Sequence, residues 1–318
     1  MEYLFIQQIS LNGVDLELEL LKSATLSLSV NALAPFLKLR FLNPHNTILE
    51  DIGIQEKDEI KVRFMDIFSE DVGNVQDFVV CDIRPDERNA NFIVFECLEK
   101  HAYHLSQRDT KIFNKMSISS ILGALVPGLE IDCGQFPVDQ YYDLANDIRF
   151  NLVAKMASEH GAIVFISKRK LVFKTKEDLL KEADIAEYEY RNKGAQYQIK
   201  RPKLLDRNFN TQEQDQHFIG WNIEKGLVQS TQNTNCPVSM VNCSEVGKLN
   251  NLSKSLVPAV RFQALGEGKL EVGSNLKLVW NSTISNRPID ESYPSRILLG
   301  DVVLHADKNF VCTICGYI

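Results

Sequence analysis

Through the first hundred residues hydrophobic and polar positions alternate. In VDLELELL, Val14, Leu16, Leu18 and Leu20 alternate with acidic residues, and ATLSLSV and FLKLRFL keep the same period. A period of two sends one face into a core and the other into water, which predicts β-strands. Asn12-Gly13 is a strong hairpin dipeptide, whereas Asn43-Pro44 interrupts the pattern. YLFIQQISL, DEIKVRFMDIF, DFVVCDI and FIVFECLEK supply further strands, with RPDERNAN as a polar turn. Some seven short strands without a long helix predict a small antiparallel barrel or sandwich over 1–105.

Between 106 and 200 the period lengthens, and the pattern predicts a small α+β domain. Ser117 to Leu125 is a short helix with Ser117 as N-cap, stopped at Pro127-Gly128 and followed by the strand LEIDC. From Asp147 to His160, Phe150, Val153, Met156 and Ala157 recur at three and four residues, with Arg149, Lys155 and Glu159 off that face. That is an amphipathic helix of about four turns, with its charges in solvent. Asp147 suits the N-cap, and Gly161 the left-handed position after the last turn. AIVFI, SKRK and LVFK then read as a hairpin, whose tip Lys168-Arg169-Lys170 is a solvated basic turn. Thr175 and Asp178 stand at capping-box spacing and predict a helix running to Ala186, ahead of strand-like Tyr188, Tyr190 and Tyr197.

Residues 201–318 predict a second barrel carrying a long polar loop or arm at about 205–257. LDRNFNTQEQDQHF and QSTQNTNCPVSMVNCSEVGKLNNLSKSL show no apolar period, which suits either partner contact or a surface excursion. Strand character returns in AVRFQALG, KLEVGSNLKLVW and SRILLGDVVLHADKNFVCTICGYI, with NSTISNRPIDESYP as a polar insertion.

Composition narrows the classes. With 44% hydrophobic and 24% charged residues the chain is neither disordered nor collagenous. No apolar run reaches the roughly 18 residues of a membrane span, and the N-terminus lacks a signal-peptide pattern, which predicts synthesis in the cytoplasm. A formal net charge of −7 disfavours a dedicated nucleic-acid binder but is compatible with a channel past which DNA slides. Seven scattered cysteines give no disulfide framework.

Candidate chemistry is thin. Cys312 and Cys315 have the spacing of half a zinc site without a second pair. His101 and His104, with Cys97 nearby, lack a nameable fourth ligand. Pro85-Asp86 with Glu96 hints at a nuclease, yet Leu98 occupies the place of the required lysine. Gly266-Glu267-Gly268 lacks the remaining glycines of a phosphate loop, and GxSxG and HExxH are absent. The residues point to no catalytic group, no cofactor and no metal.

Two stretches carry a family likeness. The first is an extended arm from Asp139 to Asp147, then Phe150, Leu152, Glu159, Gly161 and the strand Leu171 to Phe173. The second is Gly273, Leu278, Ile297, Val302, His305 and Val311 to Ile314. In this order and spacing the chain resembles the phage tail baseplate hub proteins, which include late-control proteins of contractile phages and the N-terminal part of type VI secretion spikes. The resemblance implies an α+β, mainly β fold of two small antiparallel tudor-like barrels flanking a small α+β domain. It implies a structural virion protein, a homotrimer whose six barrels adapt a six-fold tail tube to a three-fold spike. Partners would be the tail tube protein, the spike or tail-tip protein and other baseplate proteins, with DNA only in passage through the lumen and no membrane segment. The protein would assemble in the host cytoplasm and reside in the virion. Asp147, Phe150, Gly161, Phe173, Gly273 and His305 are the structural signature residues under that likeness. The strands Val14 to Leu21, Phe36 to Leu42 and Leu276 to Trp280 are the expected inter-subunit surface. Two rivals stand beside it: a tail-associated cell-wall hydrolase, and a carbohydrate- or receptor-binding module, for which Trp221 and Trp280 are the two available tryptophans.

Overall fold

The computed structural model describes residues 6–43, 47–50, 52–64, 75–138, 141–167, 169–205, 216–231, 233–243, 245–252, 254, 256–265, 270–282, 289–307 and 309–318. The first region contains β1 (Ile6–Leu11), β2 (Val14–Asp15), β3 (Leu21–Ser29), β4 (Phe36–Leu42), α1 (Thr47–Glu50), β5 (Glu59–Phe64), β6 (Val75–Asp86) and β7 (Asn89–Glu99). Asn12 and Gly13 both take positive φ, 48° and 86°, as a tight two-residue hairpin requires. The strand expected over VDLELELL stops after Asp15. Beyond it the amides of Leu20 and Leu21 donate to the carbonyls of Glu17 and Leu18, so turns replace the ladder. The leucines still go inward, with Leu16 buried and Leu18 and Leu20 packed against the core. Alternation reported burial there, not pairing.

The middle region contains α2 (Lys100–Ser106), β8 (Arg108–Asn114), α3 (Ile118–Leu125), β9 (Glu130–Cys133), β10 (Tyr141–Ile148), α4 (Arg149–His160), β11 (Ala162–Ser167), β12 (Lys170–Thr175) and α5 (Lys176–Leu180). Ser117 caps α3 by accepting from the Ser120 amide. Asp147 does not cap α4. Asn146, at φ 54°, makes a bulge that lets β10 pair with β8 as far as Ile148, so Ile148 holds the cap position without a side-chain bond. The Asp147 carboxylate instead accepts from the Ile148 amide and Asn151 Nδ2. Gly161 takes φ 60° after the last turn. Its neighbours on α4 differ from the expected wet face. Arg149 pairs with Asp109 at 2.9 Å, and Glu159 accepts from Tyr142 and Lys248, so only part of the charged side is solvated.

The third region contains β13 (Asp184–Tyr190), β14 (Gln198–Leu204), β15 (His217–Asn222), β16 (Gly226–Gln229), β17 (Val238–Met240), α6 (Val246–Leu252), β18 (Pro258–Leu265), β19 (Asn275–Trp280), β20 (Arg296–Ala306) and β21 (Phe310–Tyr317). Thr175 caps α5 as expected, but that helix ends at Leu180, because Asp184 already begins a strand laid parallel to β19. Six strands close a ring in the order β13, β14, β18, β21, β20, β19 and back to β13. Tyr188 is fully buried there, its ring 5.1 Å from that of Tyr197, while Tyr190 and Tyr197 lie partly buried against the same core. Residues 184–200, assigned from sequence to the middle region, therefore supply strands to this ring.

One strand joins the halves. The first half of β20 pairs with β19, and the second half, Asp301 to Ala306, pairs with Ala24 to Ser29 of β3. The result is one thirteen-stranded sheet in which β3, β4, β7, β6, β5, β1 and β2 continue from the ring. Two closed barrels are the expectation from sequence; among the described residues the ring is closed, and the run from β3 to β2 shows no closing ladder.

The hairpin β11–β12 separates two cores. Ile163, Phe165 and Val172 face the large core shared with the sheet, whereas Val164, Ile166, Leu171 and Phe173 face the helices of the middle region. Both faces of a strand pair are buried, so its sequence reads as a continuous apolar run. Within the expected polar arm, β15, β16 and β17 form a three-stranded sheet in the order β16-β15-β17, packed with helix α6 around Phe218, Val228 and Leu249. Residues 206–215, 232, 244, 253 and 255 of that arm, and Asp139, Lys168 and the Gly266–Gly268 run, lie outside the described residues.

Candidate assembly surface

The strands expected to pair between subunits are mostly occupied. β4 lies between β3 and β7, and β19 lies between β13 and β20. A strand bonded on both sides has no ladder to offer a neighbour. Only β2, two residues long, ends the large sheet with Val14 exposed.

A different surface stands free. β15 and β16 are joined across Ile223 to Lys225, with Asn222 Oδ1 accepting from the Glu224 and Lys225 amides and Gly226 at φ 75°. β17 lies parallel on the other side, pairing His217 with Val238 and Ile219 with Met240. The inner face turns Phe218 and Val228 onto Leu249 of α6. Gly220 is needed there, because a Cβ would stand 1.8 Å from the Cys243 carbonyl oxygen. Alternation sends the other residues outward. Trp221 is 60% exposed, Leu227 59%, Val238 63% and Met240 73%, and Ile223 at the turn is 95% exposed. No apolar period announced this face, because three short strands are separated by polar loops and each contributes one or two of its residues.

Helix α6 fastens this sheet to the middle region. Lys248 Nζ donates to Glu159 Oε2 at 3.3 Å, and Tyr142 Oη donates to the same oxygen at 2.9 Å. His160 Nε2 lies 3.3 Å from the Tyr142 oxygen, and Asn251 Nδ2 donates to the Glu159 carbonyl. The largely buried Lys248 and Glu159 thereby keep a partner each, which a buried charge requires.

The signature residues do not converge on one place. Phe173 is fully buried in the middle core and Phe150 is partly buried against it. Gly273, at φ 80°, passes under Phe165, whose Cζ would be 2.1 Å from an added Cβ. His305 stands on the seam, with Nδ1 2.8 Å from Thr25 Oγ1 across the β20–β3 pair. Asp147 and Gly161 flank α4.

Other candidates resolve into local structure. Glu99 caps α2 by accepting from the His101 and Ala102 amides, and its second oxygen meets His101 Nδ1 at 2.7 Å. Burial, and then the neighbouring cations, hold His104 below the ordinary imidazole value. Burial pushes the Cys81, Cys97 and Cys315 thiols up, which is opposite to the activation of a nucleophile. Asp86 accepts from the Arg88 amide and pairs with Arg40, and these partners hold its carboxyl below the usual range. Among the described residues no group of three His, Cys, Asp or Glu could hold a metal ion, and no helix is long and apolar enough to cross a membrane.

Fold and surface together define a mainly β chain with a closed six-stranded ring, a helical middle region and an exposed apolar sheet face. No protein-family model and no curated protein sequence matches the chain. Solved structures do. A tail protein from Neisseria meningitidis MC58 superposes with a TM-score of 0.71 at 10% identity, over 99% of this chain and 97% of its own. The 43 kDa tail protein of prophage MuSo2 from Shewanella oneidensis gives 0.67 at 11% identity, over 97% of both chains. An E. coli component of the type VI secretion system, described as similar to the T4 bacteriophage tail proteins gp27 and gp5, gives 0.60 at 8% identity, over 98% of this chain and 76% of its own. This chain has the fold of phage tail and type VI spike-related proteins.

Proposed function

We propose that this chain is a structural tail protein, the homotrimeric hub that adapts a six-fold tail tube to a three-fold spike. The observation that carries the reading is the end-to-end likeness to tail proteins, which leaves no further domain of the matched tail protein unaccounted for. The architecture supports it. Each chain brings a closed six-stranded ring and a seven-stranded run on one sheet, joined through β3 and β20. Three copies would present six β units, two from each chain, around one axis, and a closed ring of copies needs only one repeated contact. In this role the signature residues are structural, the tail tube and spike proteins are the axial neighbours, and the assembled protein resides in the virion.

The test is the mass of the purified chain in solution by light scattering, with negative-stain images of the particle. Three copies per particle and a three-fold ring with a central opening are the expected result. A monomer at the concentrations reached in assembly would overturn the reading.

A further inference from the structure

The outer face of the β15–β17 sheet is built like an interface, and its apolar side chains stand exposed, covered by no other described residue. We propose that it seats a second copy of this chain, an inference that rests on the assembly reading above.

Three observations choose the occupant. The first is size. Ile219, Trp221, Leu227, Val238 and Met240 lie on one face, and their exposed parts come to on the order of 500 Å², near the upper end of patches on monomers. A standard interface covers about 800 Å² per partner, so this face can form its apolar centre.

The second is charge. Each chain carries a formal charge of −7, so two copies repel unless they meet where no like charges face each other. The exposed outward positions of these three strands hold no carboxylate, lysine or arginine: Gln229 completes them, His217 being buried against Ser230, and the turn beside them adds one Glu224 and one Lys225. A basic or acidic partner would find no counter-charge there, whereas a second copy of an acidic chain finds the neutral surface it needs.

The third is the frame. β16 and β17 are the edges of this sheet, each bonded on one side to β15. An apolar face bounded by open edges is the surface that a soluble single chain would blunt with charge or proline. Within the strands β16 and β17, neither device appears.

Met240→Lys and Trp221→Glu, made separately, put a charge in the centre of the face. Both side chains are exposed, so the fold should be retained, which circular dichroism and the melting midpoint check. The expected result is at least ten-fold weaker association for each variant, read by native mass spectrometry across a dilution series, with Trp221→Phe keeping the wild-type mass. A wild-type oligomer whose mass survives both charged variants overturns this inference alone, whatever else the face then proves to hold. A wild type that is itself a monomer overturns both this inference and the hub reading.

Discussion

Gly273 shows at the scale of one residue how the middle region is held to the ring. Its φ of 80° is a geometry that a side chain disfavours, and a Cβ would penetrate the Phe165 ring. Gly273→Ala should therefore destabilise by about 2–4 kcal/mol, from overpacking together with the left-handed backbone. Urea unfolding measures it, and adding Phe165→Leu should restore part of the loss, since the two residues share one space. If Gly273→Ala alone melts like the wild type, the close approach is not a feature of the folded protein. A single chain could mark Gly273 only by its place before a strand. That Phe165 rests on it joins positions more than a hundred residues apart, which no local pattern carries. The N-cap at Asp147 fails for a related reason. Its short carboxylate is apt for a cap, but pairing of Asp147 with Asp109 keeps it in β10, and tertiary pairing overrode the local preference.

At the scale of elements the decisive piece is the hairpin β11–β12, with one core on each face. Its outer edge is sealed by Asn31, whose amide donates to the Val164 carbonyl at 2.7 Å while its Oδ1 accepts from the Val164 amide at 3.0 Å. Asn31 therefore imitates a strand, and at φ 56° it does so in a conformation that asparagine tolerates. Asn31→Gly should keep the turn and leave the Val164 amide without its acceptor, at a cost of about 1–3 kcal/mol. Asn31→Ala should cost more, since alanine adds the penalty of the left-handed region, about 1–2 kcal/mol. Hydrogen exchange at Val164 should quicken in both. Equal stability of the two variants would show that the backbone geometry is not under strain. The period-two and period-3.6 patterns made most strands and α4 legible here. The β15–β17 sheet stayed hidden because its strands are three to six residues long and its exposed face is apolar, so polar-out and apolar-in no longer separate.

Over the whole molecule the two β halves are one sheet, and this decides how it unfolds. Asp301 of β20 accepts from Ser29 of β3 and from Tyr317 of β21, so one carboxylate ties the seam to the ring. Burial, with Asp301 beside it, pushes the Tyr317 hydroxyl well above its ordinary value. The large apolar cluster runs from Ile9 and Phe41 through Phe165 to Phe262 and Trp280 without a break. Domains separated by thin linkers melt one at a time, whereas a shared core and shared ladder couple the halves. Trp280 reports the ring, being buried with Nε1 donating to the Pro294 carbonyl at 2.8 Å, while far-ultraviolet circular dichroism reports every strand. Denaturant curves from tryptophan emission and from circular dichroism should therefore coincide, in the Trp221→Phe variant that removes the exposed tryptophan and keeps the face apolar. A circular-dichroism transition that begins while Trp280 emission is still native would mean that the β1–β7 run melts before the ring. In that case the β3–β20 ladder is a contact between domains rather than the spine of one.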